Sequence, residues 1–260
     1  MRSQLDGLRY LDVHQHWLVT CWHGTPVVIF DDERAVLTAL WEARLLGWFQ
    51  RRPLLIRLDA HHDQWPLEPA AEQAWLTAIQ RGSRREIAMS VEFDIGCDDA
   101  DWVRAAAMAQ LTGDVVTFYL TEKPDPAPLP GVSSVLLGRI SAELDQAGGR
   151  LAAGSDLVIP GWDARTARFG GDFDYVLSID LDAFSTTSGS PWPAAELAAE
   201  LTAGRPSGGA RVCDVLSALA ERAALVTIAR EPAYCGGDLA AAGILRALDD
   251  GVFGGALTAG

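Results

Sequence analysis

Short apolar runs, each stopping at a cluster of polar residues, alternate along this chain with stretches of helical spacing. The runs are LRYLDV (8–13), PVVIF (26–30), LLIRL (54–58), VVTFYL (115–120), DLVI (156–159), YVLSI (175–179) and ALVTIA (224–229). A run that is apolar at consecutive positions suits a strand covered on both faces, as in parallel sheets. Between the runs, ERAVLTALWEARLLGWF (33–49) places Val36, Leu37, Leu40, Trp41, Leu45 and Trp48 on one helical stripe. DWVRAAAMAQL (101–111), ISAELDQA (140–147), PAAELAAELTA (193–203) and ARVCDVLSALAERA (210–223) are spaced similarly. Strand–helix alternation predicts an α/β fold with a mostly parallel sheet covered by helices on both faces. In such sheets ligands bind beyond the carboxyl ends of the strands.

The 260 residues read as one domain, 1–260. EKPDPAPLPG (122–131) holds four prolines in ten residues and is expected to leave the sheet as a surface excursion. The Gly-rich end of the chain, 254–260, is expected to be mobile. A formal net charge of −14 argues against nucleic-acid binding, which needs basic patches, and against docking on anionic membranes. No apolar run approaches the ~20 residues that span a bilayer, and the N-terminus has charges where a signal peptide is apolar, so a cytoplasmic protein is expected. Four widely separated cysteines suggest neither a zinc ribbon nor a disulfide framework.

The chemistry concentrates at two strand ends. LLIRLDAHHD (54–63) is an apolar strand running into Asp59, His61 and Asp63. In extended backbone Asp59 and His61 point the same way, and a turn brings Asp63 back toward them. YVLSIDLDAF (175–184) ends in Asp180 and Asp182, again two apart and on one face. Adjacent acids at the end of a buried strand repel one another unless a cation holds them. Mixed oxygen and nitrogen donors suit borderline-hard ions such as manganese. Five ligands exceed what one ion needs, so two Mn2+ ions ~3.5–4 Å apart are expected, with a water between them acidified into a nucleophile. The competing reading is a helix-capping aspartate followed by surface histidines.

DAHHD resembles the D-A-H-x-D motif of the arginase and agmatinase (ureohydrolase) superfamily, and SIDLDAF is similar to that superfamily's S-x-D-x-D strand end. The resemblance implies a three-layer arginase/deacetylase-like fold, a dinuclear manganese centre, and metal ligation by Asp59, His61, Asp63, Asp180 and Asp182. It also implies one earlier histidine; LDVHQHWL (11–18) offers His16, with His14 in reserve. The usual G-G-D-H context is missing, and Ser185 stands where an acid is customary. A divergent branch that includes the ribosomal-peptide arginases looks closer, through the early D-x-H-x-H, DAHHD, EFDIG (92–96), SIDLD and TIAREPAYCGG (227–237) segments.

That branch implies a hydrolase converting peptidyl arginine to peptidyl ornithine and urea, on an arginine-containing peptide or a small guanidino compound. Asp63 is expected to handle the proton. Glu231, just beyond ALVTIA, is expected to grip the guanidinium by a paired hydrogen bond; its alternative is a surface glutamate paired with Arg230. Glu92 and Asp94 are further candidates for substrate contact, and Trp17, Trp22, Trp65 and Trp162 for a peptide groove or the core. Two rival functions remain open: a zinc-dependent deacetylase-like amide hydrolase, and a degenerate scaffold that binds a peptide. A homo-oligomer is compatible with all three.

Overall fold

His23 and Gly24 both take positive φ, 48° and 96°, the backbone of a two-residue hairpin turn whose twist matches that of its strands. They join β1 (Leu18–Trp22) to β2 (Thr25–Phe30), paired antiparallel from Leu18↔Ile29 to Trp22↔Thr25. The computed structural model describes residues 14, 16–61, 63–96, 101–119, 132–136, 157–158, 168–169, 174–184 and 212–257. Within them lie β3 (Leu54–Leu58), β4 (Val115–Tyr119), β5 (Val132–Leu136), β6 (Leu157–Val158), β7 (Arg168–Phe169), β8 (Tyr175–Asp180) and β9 (Leu225–Ala229). The helices are α1 (Ala35–Leu45), α2 (Pro69–Arg81), α3 (Arg84–Phe93), α4 (Trp102–Met108), α5 (Val212–Arg222) and α6 (Asp238–Leu248).

The main sheet runs β1-β2-β9-β8-β3-β4-β5, and every pairing except β1–β2 is parallel. β6 and β7 form a separate antiparallel pair, so DLVI does not join the main sheet as its apolar run suggested. Successive residues of the central strands face opposite ways. Ile56, Leu58, Leu177, Ile179, Val226 and Ile228 pack with Leu216 and Leu219 of α5 and Ile244 and Leu248 of α6. Leu55, Val176, Leu225 and Ala229 pack on the other side with Leu37 and Leu40 of α1, Trp75 of α2, Ile87 of α3 and Trp102 of α4. The result is the mostly parallel, doubly covered sheet that the apolar runs predict; each fully buried Leu or Ile contributes roughly 1.5–3 kcal/mol.

Several elements lie where the sequence reading names none: β1, β5, β7, α2, α3 and α6. α2 starts at Pro69, a residue pre-set for a first turn, and ends at Gly82 in the left-handed region. α3 is capped by the Ser83 hydroxyl, which accepts from the Glu86 amide. A π-helical turn, Asp249–Phe253, continues α6, and Val252, Phe253 and Leu257 are buried. The Trp22 indole donates to the Phe253 carbonyl at 3.0 Å, tying this end to the hairpin. The LRYLDV run, the Pro-rich stretch, the helical patterns at 140–147 and 193–203, Ser185, Trp162 and residues 258–260 lie outside the described residues. Among those described, no helix is long and apolar enough to cross a membrane.

Candidate metal centre

The chain leaves β3 toward β4 on one side, whereas it leaves β8 toward β9 on the other. Connections diverging from neighbouring strands open a crevice at their carboxyl ends, the preferred ligand position of parallel sheets. Asp59 follows β3, and Asp180 ends β8. The next strands add acids at the same edge: Glu231 beyond β9, and Asp31, Asp32 and Glu33 beyond β2. Glu33, Asp59, Asp63, Asp180, Asp182 and Glu231 are all buried.

Backbone and side chains interlock tightly here. The Asp59 carboxylate accepts from the His61 amide at 2.6 Å through Oδ1. Asp180 Oδ1 accepts from the Asp182 amide at 2.8 Å, and Asp182 Oδ1 from the Ala60 amide at 3.3 Å. His61 Nδ1 lies 2.7 Å from Asp182 Oδ2, a contact that raises the imidazole's pKa above its ordinary value. Asp59, His61 and Asp182 offer ligand atoms that all lie within 4.8 Å of one another, and so do Glu33, Asp59 and Asp180. His61 is the open member, its side chain 57% exposed, with Tyr234 edge-on to its ring at 5.9 Å.

Arg57 enters from beneath. It is the charged residue of an otherwise apolar strand, and its side chain is fully buried. Residues two apart in a strand share a face, so Arg57 and Asp59 both point to the α1–α4 side with Leu55. One nitrogen, Nη2, donates to Asp59 Oδ2 and to Asp63 Oδ2, and lies 3.4 Å from Glu33 Oε1. The guanidinium stacks 4.8 Å from the Trp102 ring centroid, and the Trp102 indole donates to Glu33 Oε2 at 2.6 Å.

Negative charge still exceeds positive within the cluster. Burial pushes the Asp180 carboxyl well above its ordinary 3.8, and the charges of Asp182, Glu33 and Glu231 add to the shift. Glu231 is pushed up to about 9, by burial first and then by Glu33. Glu33 also rises by burial, opposed by Arg57. Carboxylates crowded in this way are stabilised by a neighbouring cation. The donors, carboxylate oxygens with one imidazole, fit a divalent ion of the manganese or zinc type.

Glu231 does not pair with Arg230. Arg230 instead holds Asp31, with Nε 2.5 Å from Oδ1, while Glu231 turns inward and accepts from the Glu33 amide. Asp63 and Glu231 both sit at positive φ, 48° and 43°, which costs a non-glycine residue on the order of 1–3 kcal/mol and clusters at functional sites.

The other expected residues lie elsewhere. His16 is 65% exposed and contacts Asp31, so the structure does not bring it into either group of converging ligand atoms. His14 is buried between the Thr38 hydroxyl, at 2.7 Å, and Glu92, at 3.3 Å, and stacks on Trp17. Glu92 is thereby a partner of His14, and Asp94 accepts from the Ser90 hydroxyl at 2.7 Å. Trp17 and Trp22 pack against Phe30 and Phe253, whereas Trp65, two residues beyond Asp63, is 58% exposed.

Glu33, Arg57 and Trp102 escaped the sequence reading. PVVIFDDE repeats the pattern of an apolar strand running into acids, and an arginine inside LLIRL signals a buried counter-charge. No family profile matches the chain, and no curated protein matches it.

Proposed function

We propose that this chain is a divalent-metal-dependent hydrolase of a guanidino group, with an arginine residue in a peptide as substrate and peptidyl ornithine and urea as products. The observation that carries the reading is the convergence of buried carboxylates with His61 at the β3/β8 crevice, negative in excess and open on the His61 side. Asp59, His61 and Asp182 would hold the ion, with Asp180 beside them. When bound, the ion supplies Lewis acidity and makes a water nucleophilic at neutral pH. The resemblance of DAHHD and SIDLD to the ureohydrolase motifs supports this choice of chemistry.

The protein's own groups have distinct tasks in this reading. Glu231 binds the substrate. Burial and the neighbouring acids push its carboxyl up to about 9, and an arriving guanidinium would return it to the charged form. The positive φ of Glu231 turns the side chain toward the crevice rather than toward Arg230. Asp63 is the proton carrier of the sequence reading; its bond to Arg57 makes it also the group that positions that guanidinium. Exposed Trp65 and Tyr234, beside the motif and His61, offer apolar surface to a peptide.

A second reading, a single-zinc amide hydrolase, is favoured by one observation: Asp59, His61 and Asp182 form a complete three-residue ligand group by themselves. The test is direct. Protein loaded with Mn2+ or Zn2+ is incubated with an arginine-containing peptide, free arginine, agmatine and an acetyl-lysine peptide. Urea from the arginine peptide under Mn2+ is the expected result. Acetate release under Zn2+ without urea establishes the second reading, and neither product overturns both.

A further inference from the structure

The acids of the crevice define two places for positive charge, and they share Asp59. One lies among Asp59, His61 and Asp182, the other among Glu33, Asp59 and Asp180. Arg57 reaches two members of the second, Asp59 and Glu33. Its Nη2 bonds Asp59 through Oδ2 and lies 3.4 Å from Glu33, and it also takes Asp63, a carboxylate that a two-ion centre would need. Among the described residues, the first has no arginine or lysine paired with it apart from Arg57 at Asp59 Oδ2.

We infer that Arg57 is a built-in cation occupying the inner position, so that this centre takes one divalent ion per chain, at Asp59, His61 and Asp182, rather than two. The inference rests on the metal-dependent reading above and sharpens it. Several features hold the guanidinium where it is. It is fully buried, stacked on the Trp102 ring, bonded to Asp59 and Asp63 in the loop after β3, and 3.4 Å from Glu33, three residues beyond β2. Trp102 in turn is fixed by its bond to Glu33, and the α4 amide of Val103 donates to the Asp63 carbonyl at 3.1 Å. A permanently charged, planar group with several donors suits a site of fixed carboxylates. An ion entering the inner position has to displace that group or share its carboxylates with it, and like charges at such distances repel strongly in a poorly solvated site. His16, the earlier histidine expected among the ligands, stays on Asp31 at the surface.

The test counts ions and their spacing. Full-length protein is saturated with Mn2+, passed through a desalting column, and measured by elemental analysis and by electron paramagnetic resonance. One manganese per chain with the spectrum of an isolated ion is expected. Two per chain with an exchange-coupled spectrum, the signature of ions ~3.5–4 Å apart, overturns the inference and leaves the metal-dependent reading standing. No bound manganese or zinc overturns both. Arg57→Gln, which removes the charge, is expected to raise the count toward two, whereas Arg57→Lys is expected to keep it at one. A folded Arg57→Gln protein that still binds a single ion overturns the role given to Arg57. If Arg57→Gln does not fold, the count and spectrum of the parent protein decide.

Discussion

Two acid clusters sit side by side beyond β2 and β9, and they are balanced differently. At the rim, Asp31 is paired with Arg230 and His16, and Asp32 with Arg34. Within the crevice, Glu33, Asp59, Asp63, Asp180, Asp182 and Glu231 share Arg57 and His61. The rim is near electroneutrality, with Asp31 and Arg34 buried but His16 and Asp32 open to water. The crevice is buried and short of cations, and Asp180 and Glu231 are pushed up in consequence. Neighbouring residues of one segment, Asp31-Asp32-Glu33, thus belong to two electrostatic environments. Among the described residues, the converging ligand atoms belong to the inner one.

The widest gap between the two clusters should appear in metal binding. Asp182→Asn removes a carboxylate that touches His61, and metal affinity should fall at least ~10-fold in a calorimetric Mn2+ titration. Asp31→Asn at the rim should leave that affinity within about two-fold. Equal losses from both would erase the distinction.

Substrate binding tests the crevice again. Glu231→Gln should retain the ion and the fold yet lose about 1.5–3 kcal/mol of transition-state binding, read as a roughly 10- to 150-fold drop in kcat/KM on an arginine peptide. Its neighbour Arg230→Ala should cost about 1 kcal/mol of stability by leaving Asp31 with His16 as its remaining named partner, with kcat/KM nearly unchanged. A parental rate for Glu231→Gln would remove the guanidinium-binding role.

Metal-free stability should respond with opposite signs in the two clusters. A carboxyl whose folded pKa is raised binds its proton more tightly than in the unfolded chain. Stability is therefore lost as pH rises from 3.8 toward the folded value of Asp180. Asp180→Asn removes that loss, since its side-chain oxygen can still accept from the Asp182 amide. The metal-free variant should melt above the metal-free parent at neutral pH, by a few degrees. A lower melting temperature would mean that the crevice is not starved of positive charge.

The smallest effect concerns His14, which adjoins the rim. Burial lowers its pKa below 6.5, partly opposed by its bond to Glu92. A base with a depressed folded pKa contributes stability above 6.5 that is lost as pH falls. His14→Gln should flatten the acid side of the stability curve between pH 7 and 5, by at most about 1.4 kcal/mol per unit. An unchanged slope in chemical denaturation would exclude His14 as the source of acid sensitivity.

The sequence by itself determined the parallel strands and the edge at which the acids gather. Continuous apolar runs can be buried only between two layers of helices, and acids at their ends must then meet at one rim. Asp59, His61, Asp180 and Asp182 were legible because strand ends in a parallel sheet are brought together whatever the loops do. The hairpin β1–β2 and helices α2, α3 and α6 were less legible, since exposed faces and short runs such as LVTCW carry weak periodicity. What only the tertiary structure decided is which charge meets which. Glu33 was brought beside Asp59 and Glu231 by the β2-β9-β8-β3 strand order, which no local pattern encodes. Arg57 found Asp63 because that residue's left-handed backbone turns the loop back over the strand. His16 was drawn to Asp31 rather than to the crevice, for an imidazole takes whichever carboxylate the packing brings within reach.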